Sequence, residues 1–127
     1  MIDELRPAVY TKCNSVTGLS GGLWWVEASQ AATDNYSVFS IVTNTNTRDT
    51  ATKFEKVFLQ INIYSLNPST LESLTKGMLA KLDDTESSWS LTSYHFIRIE
   101  RNFVRGPYKP NELYQTVIQY EIDLQKK

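Results

Sequence analysis

The stretch FEKVFLQINIYS, residues 54–65, most tightly constrains how this chain folds. Val57, Leu59, Ile61 and Ile63 alternate with Lys56, Gln60 and Asn62. A period of two over this length predicts a strand with one apolar face and one largely polar face. Phe58 and Tyr64 sit on the polar side, so that side is not wholly given to solvent. The apolar face needs a cover, and the next segment supplies one. In NPSTLESLTKGMLAKL, residues 67–82, Leu71, Leu74, Met78, Leu79 and Leu82 recur at helical spacing. Asn67-Pro68 is the entry, and Ser69 with Glu72 matches a capping box. Gly77 inside this helix costs about 1 kcal/mol against Ala, which points to close packing there.

The remaining elements follow by the same reasoning. Leu5, Val9, Cys13 and Val16 form one stripe of a first helix over 3–16, with Asp3 as its N-cap and Pro7 near its first turn. Gly18, Gly21 and Gly22 break the chain after it. LWWVEAS (23–29) and YSVFSIV (36–42) read as strands, with QAATDN (30–35) as a loop. DDTESSWS (83–90) reads as a loop, YHFIRIERNFV (94–104) as a strand with Ile97, Ile99 and Phe103 on one face, and RGPYKPN (105–111) as a turn. LYQTVIQYEIDL (113–124) is the last strand, with Tyr114, Ile118, Tyr120, Ile122 and Leu124 on one face and Gln115, Gln119, Glu121 and Asp123 opposite. The order α-β-β-β-α-β-β predicts an α+β domain over 1–127. Its antiparallel or mixed sheet of four to five strands carries two helices on one face.

TNTNTRDTATK, residues 43–53, interrupts this regular pattern. It is too long for a tight turn and has no Gly or Pro to make one. Threonine favours strands and carries little apolar area, which suits an arm that stays soluble until it packs against another subunit. Thr43, Asn44, Thr45, Asn46, Thr47, Arg48, Asp49, Thr50 and Lys53 are therefore candidate contacts with another subunit. Trp89, in the 83–90 loop, and Arg105, Tyr108 and Lys109, in the 105–112 turn, are candidate loop-tip contacts, because exposed aromatics make good interface anchors.

Catalytic constellations are missing. Cys13 and His95 are the only residues of their kinds, and Cys13 lies on a helix's apolar stripe rather than beside an orienting base. Asp83, Asp84 and Glu86 lack the spacing and glycine of a calcium loop, and no His or Cys accompanies them for zinc. No phosphate loop, dinucleotide fingerprint or nucleophile elbow occurs. Asn35 fits a glycosylation sequon without a secretory signal beside it. Thirteen basic against fourteen acidic side chains give a net charge of −1, far from the basic footprint of a nucleic-acid binder. Arg98, Arg101, Arg105 and Lys109 do lie among aromatics, but Arg98 and Arg101 have opposite strand parity and Glu100 shares a face with Arg98. The expectation is a cytosolically made protein without enzymatic activity, cofactor, metal or membrane span. The competing reading is a monomeric nucleic-acid-binding α+β domain.

The run FEKVFLQINIYSLNPSTLESLTKGMLAKL, followed by FIRIERNFVRGPY and ELYQTVIQYEID and preceded by the helix LRPAVYTKCNS, resembles the tail-completion or tail-terminator proteins of long-tailed bacteriophages. The resemblance covers nearly the whole chain in element order and length. It implies a small α+β virion subunit, made in the bacterial host cytoplasm, that forms a ring of itself, six-fold in such proteins. The ring caps the head-proximal end of the tail tube, stops its growth and joins it to the head connector or stopper protein. Genome DNA passes through without sequence-specific binding, and no catalytic residue is expected.

Overall fold

The computed structural model describes residues 2–26, 35–43, 54–109 and 112–127. Helix α1 spans Ile2–Cys13, and a glycine-rich turn leads to strand β1, Gly22–Trp25. Strands β2 (Tyr36–Thr43) and β3 (Phe54–Ser65) precede helix α2 (Pro68–Leu82). A single 3-10 turn, Glu86–Ser88, leads to β4 (Tyr94–Tyr108) and β5 (Tyr114–Lys126). The five strands form one sheet in the order β1-β2-β3-β5-β4. β1 runs parallel to β2, and every other pair is antiparallel. The α+β class, the element order and the mixed sheet are those expected from the sequence.

The expected core forms. Val57, Leu59, Ile61 and Ile63 of β3 are fully buried, as are Ile118, Tyr120, Ile122 and Leu124 of β5. They meet Leu71, Leu74, Met78 and Leu82 of α2, and Leu5, Val9 and Cys13 of α1. At Gly77 a Cβ would stand 2.9 Å from Val16 Cγ1, so α2 approaches the turn after α1 as closely as a bare backbone allows. The opposite sheet face carries half-buried side chains, with Tyr36 stacked on its strand partner Tyr64 at 4.8 Å.

Several local expectations change. α1 ends at Cys13 rather than 16, and Asp3 lies in its first turn rather than capping it. The cap of α2 is Asn67, whose Oδ1 accepts from Ser69 N at 2.8 Å and Thr70 N at 3.4 Å. Pro68 needs no N–H partner and presets the helical φ, so the helix begins before Ser69 and its capping box is not used. Glu72 instead pairs with Lys76 at 3.4 Å. β1 is shorter than expected at its described end, and residues 27–29 of the expected strand lie outside the described residues, as does most of the loop at 30–35.

The largest departure is β4. It runs through the expected turn to Tyr108, and its register against β5 shifts between Phe96 and Arg98, between Arg101 and Phe103, and between Arg105 and Tyr108. A shift of this kind leaves one residue without an opposite number and turns the strand's faces over. Ile97 occupies the first shift, so Phe96 and Ile99 share the helix-side face while Ile97 is 45% exposed. At the last shift Gly106 has φ +115, and a Cβ there would stand 2.6 Å from the Gln115 carbonyl oxygen. The Gly106-Pro107 peptide is cis.

Candidate assembly surface

The proposed loop-tip contacts separate into two kinds. Trp89 is not at an exposed tip. Its indole is buried, stacked on Phe96 with ring centroids 4.6 Å apart, and Lys12 Nζ lies 4.9 Å above it. Its Nε1 donates to Thr85 Oγ1 at 2.9 Å, so both its apolar and polar parts are satisfied within the chain. A large ring in a polar loop closes onto the nearest apolar surface, here the start of β4.

Arg105, Tyr108 and Lys109 are exposed at the far end of β4. Arg105 lies 4.5 Å over the Phe103 ring and Lys109 Nζ 5.2 Å over that of Tyr114, arrangements that pre-order long cationic side chains along an aromatic surface. The nearby Tyr64 hydroxyl accepts from Gln115 Nε2 at 3.2 Å. The arm candidates Asn44, Thr45, Asn46, Thr47, Arg48, Asp49, Thr50 and Lys53 lie outside the described residues. Thr43 is inside, as the last residue of β2, paired with Val57.

Of the groups considered for chemistry, Cys13 is buried and Asp83 and Glu86 have partners within the chain. Burial pushes the Cys13 thiol up to about 12, which leaves almost no thiolate at neutral pH. Asp83 Oδ1 accepts from the Tyr120 hydroxyl at 2.7 Å, and Asp83 Oδ2 stands 4.0 Å from Arg101. Glu86 Oε1 accepts from Ile99 N at 3.5 Å along the outer edge of β4. His95 is exposed at the start of β4. Among the described residues no three His, Cys, Asp or Glu side chains converge as a metal site would require. None of the described helices is long and apolar enough to cross a membrane.

The basic residues of β4 do not make a common face. Arg98 is held by Asp123 at 3.1 Å, Glu100 at 3.1 Å and Glu121 at 3.7 Å, and Glu121 also pairs with Lys56 at 2.8 Å. Arg101 points the other way, toward Asp83. Phosphate recognition needs cations that are not already neutralised by carboxylates, so this arrangement disfavours a nucleic-acid groove along β4.

Comparison with solved structures gives the fold a relative. It shares its fold with a chain of a gene transfer agent virion. That structure, described as the virion of a native gene transfer agent particle, superposes with a TM-score of 0.77 over 98% of this chain and 96% of that one, at 8% identity. A second solved structure, 14% identical, aligns over 98% of this chain and 96% of its own with a TM-score of 0.59. No protein-family profile matches the sequence, and no curated protein does. Identities this low leave a shared fold, spanning both chains almost end to end, as what the comparison establishes.

Sequence reasoning missed one feature of this surface. Between α1 and β1 lies an open recess of about 480 Å³, lined by Arg6, Pro7, Tyr10, Leu23, Trp25 and Phe39 among others. The Trp24-Trp25 pair and the exposed Tyr10 were its only signals, and they sit in elements with no period in common.

Proposed function

We propose that this protein is a virion structural subunit of a phage-type particle, acting as a tail terminator. The observation that carries the reading is the near-complete overlap with a chain of a gene transfer agent virion, a phage-like particle. The tail-terminator pattern of strands and helices in the sequence supports the narrower role. In this reading the single α+β domain assembles with copies of itself into a ring, six-fold by resemblance, at the head-proximal end of the tail tube. The ring stops tube growth and presents a surface to the head connector, and the genome passes through its bore. The 43–53 arm and the group Arg105, Tyr108 and Lys109 are the proposed contacts with neighbours or tube. The role requires no catalysis, in keeping with the burial of Cys13 and the partners of Asp83 and Glu86 within the chain.

The test is native mass across a concentration series, with electron micrographs of the same sample, alone and with purified tail tubes. Closed rings in solution, or rings found only at tube ends, are the expected result. A chain that stays monomeric and ignores tubes overturns the reading. If such a chain retained DNA at low salt and released it steeply with added salt, the nucleic-acid alternative would replace it.

A further inference from the structure

A closed ring needs two different contact patches on each subunit, placed so that one copy's first patch meets the next copy's second. The described surface offers such a pair at the two edges of the sheet. At one edge, α1 and β1 enclose the recess around Tyr10, Leu23, Trp25 and Phe39. Trp25 packs edge-on to Phe39 at 5.2 Å and carries Arg6 over its ring at 5.6 Å, while Tyr10 is 44% exposed at the rim. Such a mixture of Trp, Tyr and Arg around a concave site is typical of interface anchors.

At the other edge the two halves of β4 differ. Around Ile99 the 3-10 turn and the Glu86 carboxylate lie along it. Beyond Arg101 no described element pairs with its outer side. There Val104, opposite Ile118 on the helix-side face, remains 39% exposed, and Tyr108 is 43% exposed. Five strands at about 4.8 Å spacing set the two edges roughly 19 Å apart, on opposite flanks of the molecule.

We infer that the free half of β4, with Val104 as its central side chain, docks into the α1–β1 recess of a second copy of this chain. One observation favours a second copy over another occupant, and another sets the mode of contact. The recess and the protruding valine lie on the same, helix-bearing side of the sheet, so a neighbour placed edge to edge presents Val104 at the level of Leu23 and Phe39. The register shifts of β4 break its backbone repeat, which disfavours indiscriminate strand addition and leaves side-chain docking as the mode of contact. The inference rests on the ring reading and names its interface.

The test uses Tyr10→Asp and Val104→Asp, both at exposed positions and each checked for an unchanged thermal melt. Each variant alone is expected to lose self-association by about tenfold or more. An equimolar mixture should form a 1:1 dimer and nothing larger. The Tyr10→Asp copy keeps an intact β4 to enter the intact recess of the Val104→Asp copy, and the remaining pair of surfaces is doubly charged. A second measurement pairs Thr11→Cys with Val104→Cys, which under oxidation should link wild-type-like rings into a covalent ladder, since the buried Cys13 thiol does not compete. If wild-type rings form but both Asp variants still assemble, or the mixture stays monomeric, or the ladder is absent, this interface is wrong and the ring stands on another. If wild-type protein forms no ring with or without tubes, the ring reading itself fails and the interface with it.

Discussion

The Tyr120 hydroxyl, from the middle of β5, donates at 2.7 Å to Asp83 Oδ1 in the residue that closes α2. Tyr120 is fully buried, so its hydroxyl has no water to fall back on. Tyr120→Phe removes the donor and leaves Asp83 with Arg101 at 4.0 Å. Urea denaturation should show a loss of about 1–2 kcal/mol.

Alkaline pH should destabilise the protein, with the buried Cys13 and Tyr120 leading the fall. Burial holds the Cys13 thiol at about 12 in the folded state, above its ordinary value of 9.0. Burial, and then Asp83, also raise the Tyr120 phenol above 10.0. In both cases the unfolded chain gives up its proton first, so it binds fewer protons and stability falls with rising pH. The fall should begin near pH 9 through Cys13 and continue above 10 through Tyr120. A pH series of thermal melts checks this, with Cys13→Ala flattening the first part and Tyr120→Phe reducing the second, to which the raised phenols of Tyr64 and Tyr94 also contribute.

Gly77→Ala should destabilise despite the better helix propensity of alanine. Propensity favours the change by about 1 kcal/mol. The new methyl would lie 2.9 Å from Val16 Cγ1, and Val16 is buried and β-branched, so it has little room to turn aside. Overpacking of this kind costs about 1–3 kcal/mol. Adding Val16→Ala should reverse the sign, and the double-mutant cycle measures the coupling directly.

Gly106→Ala meets backbone instead of side chain. A φ of +115 and a Gln115 carbonyl oxygen 2.6 Å from the added Cβ leave no rotamer to escape into. A loss of about 3 kcal/mol in denaturant melts is expected, with the β4–β5 amides losing hydrogen-exchange protection first.

Asn67→Ala should cost about 1 kcal/mol by removing the cap of α2, whereas Ser69→Ala should cost little. Equal costs would mean that the helix starts where the sequence pattern alone had put it.

That last contrast shows what the sequence made legible. Val57, Leu59, Ile61 and Ile63 revealed their face because strand period and burial coincide along β3. β5 did the same. β4 did not, because a register shift adds one residue without altering local composition, and Ile97 therefore seemed to share a face with Ile99. Gly106-Pro107 looked like a turn because those residues usually make one; here they lie inside the strand. Trp89 seemed a loop-tip aromatic because nothing local showed that Phe96 and Lys12 would enclose it. The recess between α1 and β1 was hidden for a similar reason. It exists only once two elements that are neighbours in sequence turn to face each other across the break at Gly18 and Gly22.

The first helix is fastened to the molecule by groups far along the chain. Lys12 Nζ donates to Ser88 Oγ at 2.6 Å, and Glu4 Oε1 accepts from Ser93 N at 2.9 Å. On a ribosome adding about 5–20 residues per second, those partners emerge roughly four to eighteen seconds after the helix itself. Until β3 and α2 emerge, the apolar stripe of α1 is exposed to whatever the cell places near the nascent chain, and the two polar ties close only after that. Of the described elements α1 is thus the first made, and its polar ties are among the last to close.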